Sequence, residues 1–376
     1  MGFMRDQIYD PKRVFGLDLM RCAAILMVFI GHCAWLLPEN DSITSQLLSL
    51  ISFLGVEVFF VLSGFLIGRI LYRTYVSDRF SISSVITFLK RRWFRTLPNY
   101  YLVLLINFGI AALIGYEVVD GWRYFLFLQN FASPLLPFFP ESWSLSVEEF
   151  AYVLIPLVLL VGTKASPTTR RVIFLTATLA LIAIFTLLRV YYNSNHVETT
   201  LAEWNIGLKS VVIYRLDSIF IGILCSWIYM NSHSFWRRTR YIWAVLGMIG
   251  LAFFTVGVGF LGLFIESWPF FWNVMYLPTV SITMALFLPV LSEWKSEANW
   301  IHKPVTFISL ISYSIYLLHY SIILQLLKRL GDTATMDSVK LFFVTSSYII
   351  LTLSASYLLY RYFEKPIMDL RDRKRV

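Results

Sequence analysis

The sequence has 376 residues, of which 58% are hydrophobic and 15% charged, with a formal net charge of +9 and a mean hydropathy of +0.67. Soluble domains carry roughly a quarter charged residues, so this chain cannot cover a water-facing surface, and a soluble globular fold is excluded. Nucleic acid is excluded as a partner too: the Lys and Arg residues sit at the ends of apolar blocks, with no zinc-finger or aromatic RNA-binding signature beside them.

The apolar residues fall in blocks of about 18 to 25, the length that crosses a hydrocarbon core of about 30 Å. The first block, 14–37, follows Arg5, Lys12 and Arg13 as a signal peptide would. It is too long for an h-region and no small-residue cleavage site follows, so it is expected as a retained helix. Further spans are expected at 48–71, 97–115, 143–162, 172–192, 208–230, 241–265, 272–291, 307–327 and 341–362. The aromatic stretch 121–140 is broken by Pro134, Pro137 and Pro140 and reads as an interfacial or re-entrant loop. The expected class is an all-α integral membrane protein of about ten transmembrane helices, a single domain over 1–376. Alternate connections hold 24 and 4 of the 32 Lys and Arg residues, the richer set including Arg79, Arg371, Arg373, Lys374 and Arg375. That asymmetry predicts both termini in the cytoplasm, as an even number of spans requires.

Ionisable groups inside spans are costly and mark a pathway or a site by default. In the first span, Asp18 lies one turn before Arg21 and can pair with it. Arg21 and His32 are eleven residues apart, three turns plus about 20°, so they share a face at a separation of about 16 Å. The bland reading is a structural polar seam. In the second span, Ser63, Gly64 and Gly68 read as packing residues, whereas Glu57 is expected near the outer interface, level with His32. The loop that follows ends in Lys90-Arg91-Arg92-Trp93-Phe94-Arg95. Arg91, Arg92 and Arg95 suit the phosphates of a nucleotide-like carrier; lipid headgroups or topology alone are the competing reading.

The fourth span starts with Trp143-Ser144. Ser144, Glu148 and Tyr152 lie on an i, i+4, i+8 line, which makes Glu148 the inward carboxylate and turns Glu149 about 100° away. In the sixth span, Arg215 and Asp217 are about 200° apart and must each find another partner. Ser309, Ser312, Tyr313, Tyr316 and His319 or Tyr320 make a helical stripe in the ninth span, read as hydrogen-bonding glue between helices. Cys22, Cys33 and Cys225 lie in apolar blocks without CxxC spacing, and His196, His233, His302 and His319 fall in separate segments, so no metal site is expected.

These segments resemble the membrane acyltransferase family 3, the O-antigen and peptidoglycan O-acetyltransferase-like proteins. Leu17-Asp18 through His32 is similar to the family's opening arginine, ten residues, histidine segment. Phe59 to Ile67 resembles its FFVLSGFLI motif, and Arg91, Arg92, Arg95 and Pro98 its basic cluster. Trp143-Ser144-Leu145 with Glu148, then Arg215, Asp217 and Gly222, resemble its W-S-L-x-x-E and R-x-D-x4-G segments. Ser312 to His319 and Arg361 to Pro366 resemble its closing segments. Leu19-Met20 stands where many members have Gly-Leu, and Glu57 where an aspartate is common.

The resemblance implies an acyl-CoA donor, acetyl-CoA above all, used from the cytoplasm as co-substrate. It also implies a glycan or lipid-linked sugar acceptor on the outer face of a bacterial inner membrane, among membrane lipids. A small glycoside or antibiotic is an alternative acceptor. Arg91, Arg92 and Arg95 would hold the donor phosphates, with the pantetheine arm threading past Arg21 to His32. His32 would act as general base toward the sugar hydroxyl or carry the acyl group covalently. Glu148 would orient His32 or the acceptor, and Arg21 or another donor would stabilise the oxyanion. Glu57, Trp143, Ser144, Tyr152, Arg215 and Asp217 would line the acceptor side. A secondary transporter and a non-catalytic envelope scaffold compete as other classes; turnover of acetyl-CoA separates them from the enzyme.

Overall fold

The computed structural model describes residues 13–36, 43–77, 80–196, 200–295, 300–329, 331 and 336–372. Arg5, Lys12, Arg79, Arg373, Lys374 and Arg375 of the charge count lie outside the described residues, as do the last residue of the first expected span and the side chain of Arg371. Every regular element among the described residues is helical. Among the described residues, nine helices are long and apolar enough to cross a membrane: α1 Phe15–Leu36, α2 Ile43–Val76, α3 Ile82–Leu113, α4 Ser142–Gly162, α5 Pro167–Asn195, α7 His233–Phe260, α8 Phe271–Ser292, α9 His302–Arg329 and α10 Ser338–Leu370. Between α5 and α7 lies the shorter apolar α6, Leu216–Asn231.

The expected sixth span, 208–230, is therefore not one helix. A helical turn at Leu201–Trp204, a π-turn at Asn205–Lys209 and a 3-10 turn at Val212–Tyr214 precede α6. Sixteen helical residues reach about 24 Å, short of a full crossing. Irregular backbone is tolerated at depth only where protein encloses it, and here Leu208, Ser210, Val211 and Val212 are all buried. The stretch 121–140 holds only the short turn Trp122–Phe125. It is strapped to the bundle by Tyr100 Oη donating to the Tyr124 carbonyl and by Gln129 and Asn130 reaching Ser146 and Ser210.

Without a hydrophobic drive between helices in lipid, close packing of small residues holds them together. A Cβ on Gly64 would run into the Ile219 carbonyl oxygen and one on Gly222 into that of Val61, so α2 and α6 meet backbone to backbone. Gly31 seats against Leu48 and Ser52, and Gly55 against Ala24 and Val28, which fixes the antiparallel register of α1 on α2. That register corrects the expected depth of Glu57. His32 is level with Ser52, to which it bonds, and Glu57 lies five residues, about 7.5 Å, deeper along α2. The ends of α2, α5, α6, α7 and α8 come together where Arg170 donates to the Tyr75 carbonyl, Trp227 to that of Arg171, and His233 meets Glu293. Arg69 stacks over Tyr229 at the same end, which is the basic end of the bundle.

Candidate active site

Five helices enclose a cavity of about 120 Å³ that begins near the basic end. Each helix presents one face to it, as the helical period requires. Helix α3 supplies Arg92, Arg95 and Thr96, α1 supplies Arg21, and α4 supplies Ser144, Glu148 and Tyr152. Helix α2 closes one side with Phe59 to Leu66, and α9 the other with Ser312, Tyr313 and Tyr316. Four of the charged groups expected at a site thus face a single space.

Arg21 is held by Asp18 at 3.5 Å and by Ser309 Oγ at 3.3 Å, while Arg13 makes the closer pair with Asp18. Arg92 stacks over Tyr152 at 5.7 Å, and Tyr152 Oη donates to Glu148 at 2.9 Å and meets Ser63 Oγ at 2.6 Å. Glu149 turns instead toward α3, accepting from Trp93 Nε1 at 3.1 Å and Thr96 Oγ1 at 2.9 Å. Glu148 is the carboxylate that lines the cavity, and it makes no contact with His32.

The cavity stops at Tyr316. Its hydroxyl bonds Ser144 Oγ at 2.5 Å and donates to the Glu141 carbonyl at 3.0 Å, and its ring meets Phe59 edge to face at 6.3 Å. His32 is not among the cavity-lining residues. It lies past this strap, its Nδ1 2.8 Å from the Val28 carbonyl, 3.2 Å from Ser52 Oγ and 3.2 Å from His319 Nε2. Since α1 is continuous from Phe15 to His32, Arg21 and His32 are about 16 Å apart along it. Both face α9, through Ser309 and His319, but the two cannot touch one reacting carbonyl.

The other expected acceptor residues divide. Ser144 and Tyr152 line the cavity. Glu57, Arg215 and Asp217 are fully enclosed and each meets an opposite charge: Arg215 pairs with Glu57, and Arg189 pairs with Asp217 at 2.7 Å, while Arg215 Nε and Nη1, Asp217 Oδ1 and Arg189 Nε have no hydrogen-bond partner among the described residues. Ser281 Oγ adds a bond to Glu57 at 2.8 Å. Trp143 packs edge to face on Phe60 and lies beneath the Lys209 ammonium at 5.2 Å. Arg91 is exposed and lies outside the cavity.

The sequence reading gave no site role to Tyr316, His319, Ser52 or Glu141. Tyr316 and His319 stood on the stripe of α9 assigned to glue; their partners, 172 and 287 residues away, leave no trace in local spacing. Glu141 accepts from the Ser321 backbone N–H at 2.9 Å, which steadies a π-turn at His319–Leu324. Such turns cluster at functional sites. No cluster of three or more His, Cys, Asp or Glu side chains able to hold a metal ion occurs among the described residues.

The model of the acyltransferase domain family matches residues 14–361, nearly the whole chain. The chain belongs to that family. Among curated proteins, the chain is similar to O-acetyltransferase OatA of Staphylococcus aureus (strain NCTC 8325 / PS 47), 25% identical over 96% of this chain and 58% of the relative. It is also similar to peptidoglycan O-acetyltransferase OatA of Listeria monocytogenes, 24% identical over 96% of this chain and 56% of the relative. The chain thus spans little more than half the length of these relatives. No solved structure matches it.

Proposed function

We propose that this acyltransferase is a multi-pass enzyme of a bacterial inner membrane that moves an acetyl group from cytoplasmic acetyl-CoA to a hydroxyl of an envelope glycan. The observation that carries the reading is one cavity of mixed charged and apolar lining, entered past Arg92 and Arg95 and ending at a strap one helical turn from His319, which meets His32. The names of the relatives, O-acetyltransferase and peptidoglycan O-acetyltransferase, support the transferred group and the glycan. The excess of Lys and Arg at the cavity's entrance supports a cytoplasmic donor side and cytoplasmic termini.

In this reading Arg92 and Arg95 bind the donor phosphates by charge-assisted hydrogen bonds, and Arg91 draws the donor in from the exposed rim. Arg21, three turns below His32, steadies the donor arm rather than an oxyanion. Tyr152 and Glu148 hold the polar wall along which the arm lies. The Tyr316–Ser144 contact must part for the thioester to reach His32. There the acceptor hydroxyl gives its proton to His32, its oxygen bonds to the thioester carbon, and the carbon–sulfur bond breaks; the proton leaves with the thiol.

The test is acetyl-CoA turnover by the purified protein in nanodiscs, with soluble peptidoglycan fragments as acceptor. Release of free CoA together with acetyl esters on the sugar is expected. Uptake of a solute across the bilayer with no thioester cleavage would place the chain among transporters instead.

A further inference from the structure

His319 has no part in the scheme above, yet its ring nitrogen lies within hydrogen-bond distance of His32. Its Nδ1 lies 2.8 Å from the Tyr316 carbonyl and 3.1 Å from that of Ile315. A carbonyl oxygen only accepts, so Nδ1 carries the hydrogen and Nε2 of the neutral ring is a bare lone pair. That lone pair lies 3.2 Å from His32 Nδ1. His32 Nδ1 in turn sits 2.8 Å from the Val28 carbonyl, so it must also be an N–H. A donor on His32 thus faces an acceptor on His319, its one Nδ1 hydrogen shared between the Val28 carbonyl and His319 Nε2, with the Ser52 hydroxyl 3.2 Å from the same nitrogen. The basic nitrogen of His32 is then Nε2.

We propose that His319 is a positioning residue for His32, joining the Val28 carbonyl in holding Nδ1 of that ring as the N–H and leaving Nε2 to take the acceptor proton. The proposal rests on His32 being the base. Three features fit. The His32 ring is clasped edge-on between the rings of His319 and Tyr320, each 4.9 Å away, so it cannot turn over freely. His319 opens the π-turn that Glu141 steadies, which fixes where its ring stands on α9. And a neutral imidazole is an acceptor without the desolvation cost of a buried carboxylate. When Nε2 takes a proton, the charge reaches Nδ1–H, where the Val28 carbonyl and the His319 lone pair together stabilise it. This is the office a carboxylate performs in a Ser-His-Asp triad.

The experiment uses the full chain in nanodiscs, labelled with 15N-histidine. With five histidines in the sequence, His32→Gln and His319→Gln assign the two rings by loss of signal. A pyrrole-type Nδ1 and a pyridine-type Nε2 on both rings is the expected result; a protonated Nε2 on neutral His32 overturns the proposal, with or without activity data. Kinetics add a second readout. His319→Leu should lower kcat by about 10²-fold, the lower end of what general-base catalysis supplies, with KM for acetyl-CoA changed by no more than about threefold. His319→Gln, which returns an amide oxygen near the Nε2 position, should recover to within about tenfold of wild type. Wild-type turnover in His319→Leu contradicts the proposal. So does a parallel loss of kcat, KM and melting temperature in both variants, since that marks a packing role. A fully active His32→Ala would instead remove the reading beneath it.

Discussion

Two regions of this molecule bury charge in opposite ways. Around the start of α6, Arg215 and Glu57 and then Arg189 and Asp217 close on each other with no exposure at all. Around α9, Arg21, Arg92, Arg95 and Glu148 face open space, and their charges are not cancelled in tight pairs with one another. From sequence the two sets look alike, as polar residues in apolar helices. The difference is that each charge of the first set is closed on an opposite charge of the protein, while the second is arranged for something that enters. The cost of an intramembrane charge is met by mutual neutralisation in one place and by a site in the other.

Breaking one partner of the sealed set should have the largest effect. Arg215→Met strands Glu57 in the interior and should cost about 3–5 kcal/mol of stability, read as a fall in melting temperature in detergent. Adding Glu57→Gln should restore most of it, as a double-mutant cycle would show. If Arg215→Met kept its melting temperature and raised KM for the acceptor, the pair would belong to the site after all.

In the open set the sign is reversed: activity should move and stability should not. Arg92→Gln and Arg95→Gln should each raise KM for acetyl-CoA by roughly tenfold, the worth of one charge-assisted hydrogen bond. Their melting temperatures should stay near that of wild type. A binding isotherm with acetyl-CoA checks this directly, and unchanged affinity in both variants would move the donor elsewhere.

The smallest effect is expected at the strap between cavity and histidines. Tyr316→Phe removes the bonds to Ser144 and to the Glu141 carbonyl. It should lower stability by about 1 kcal/mol and raise acceptor-free hydrolysis of acetyl-CoA several-fold, because the thioester and water then meet His32 more easily. Slower hydrolysis would mean that the hydroxyl takes part in the chemistry rather than closing the path.

Much of this was legible in the sequence. Hydropathy alone located nine long helices, because length and apolarity are local properties that the bilayer imposes on each segment separately. The line Ser144, Glu148, Tyr152 was legible for the same reason: one helix face is set by spacing, and all three residues line the cavity. The opposed directions of Arg215 and Asp217 correctly demanded partners on other elements, but Glu57 and Arg189 could not be named, since pairing across helices follows packing. Two features stayed hidden. The break before α6 fell inside the expected span 208–230 on the strength of Leu208, Val211, Val212 and Ile213, because enclosed irregular backbone needs no special composition. The His32–His319 contact depends on how α1 lies on α9 and on a π-turn with no sequence mark of its own.

Chemistry at His32, beyond the strap, is probed by acetyl transfer in His32→Ala. The wild-type chain and the variant are compared in nanodiscs with acetyl-CoA, a glycan acceptor and a matched melting curve. An unchanged melt is expected, with donor affinity close to wild type and transfer reduced by at least about 10³-fold, within the range a general base contributes. Full transfer by a folded His32→Ala protein would contradict it and move the base into the cavity, where Glu148 is the carboxylate in place.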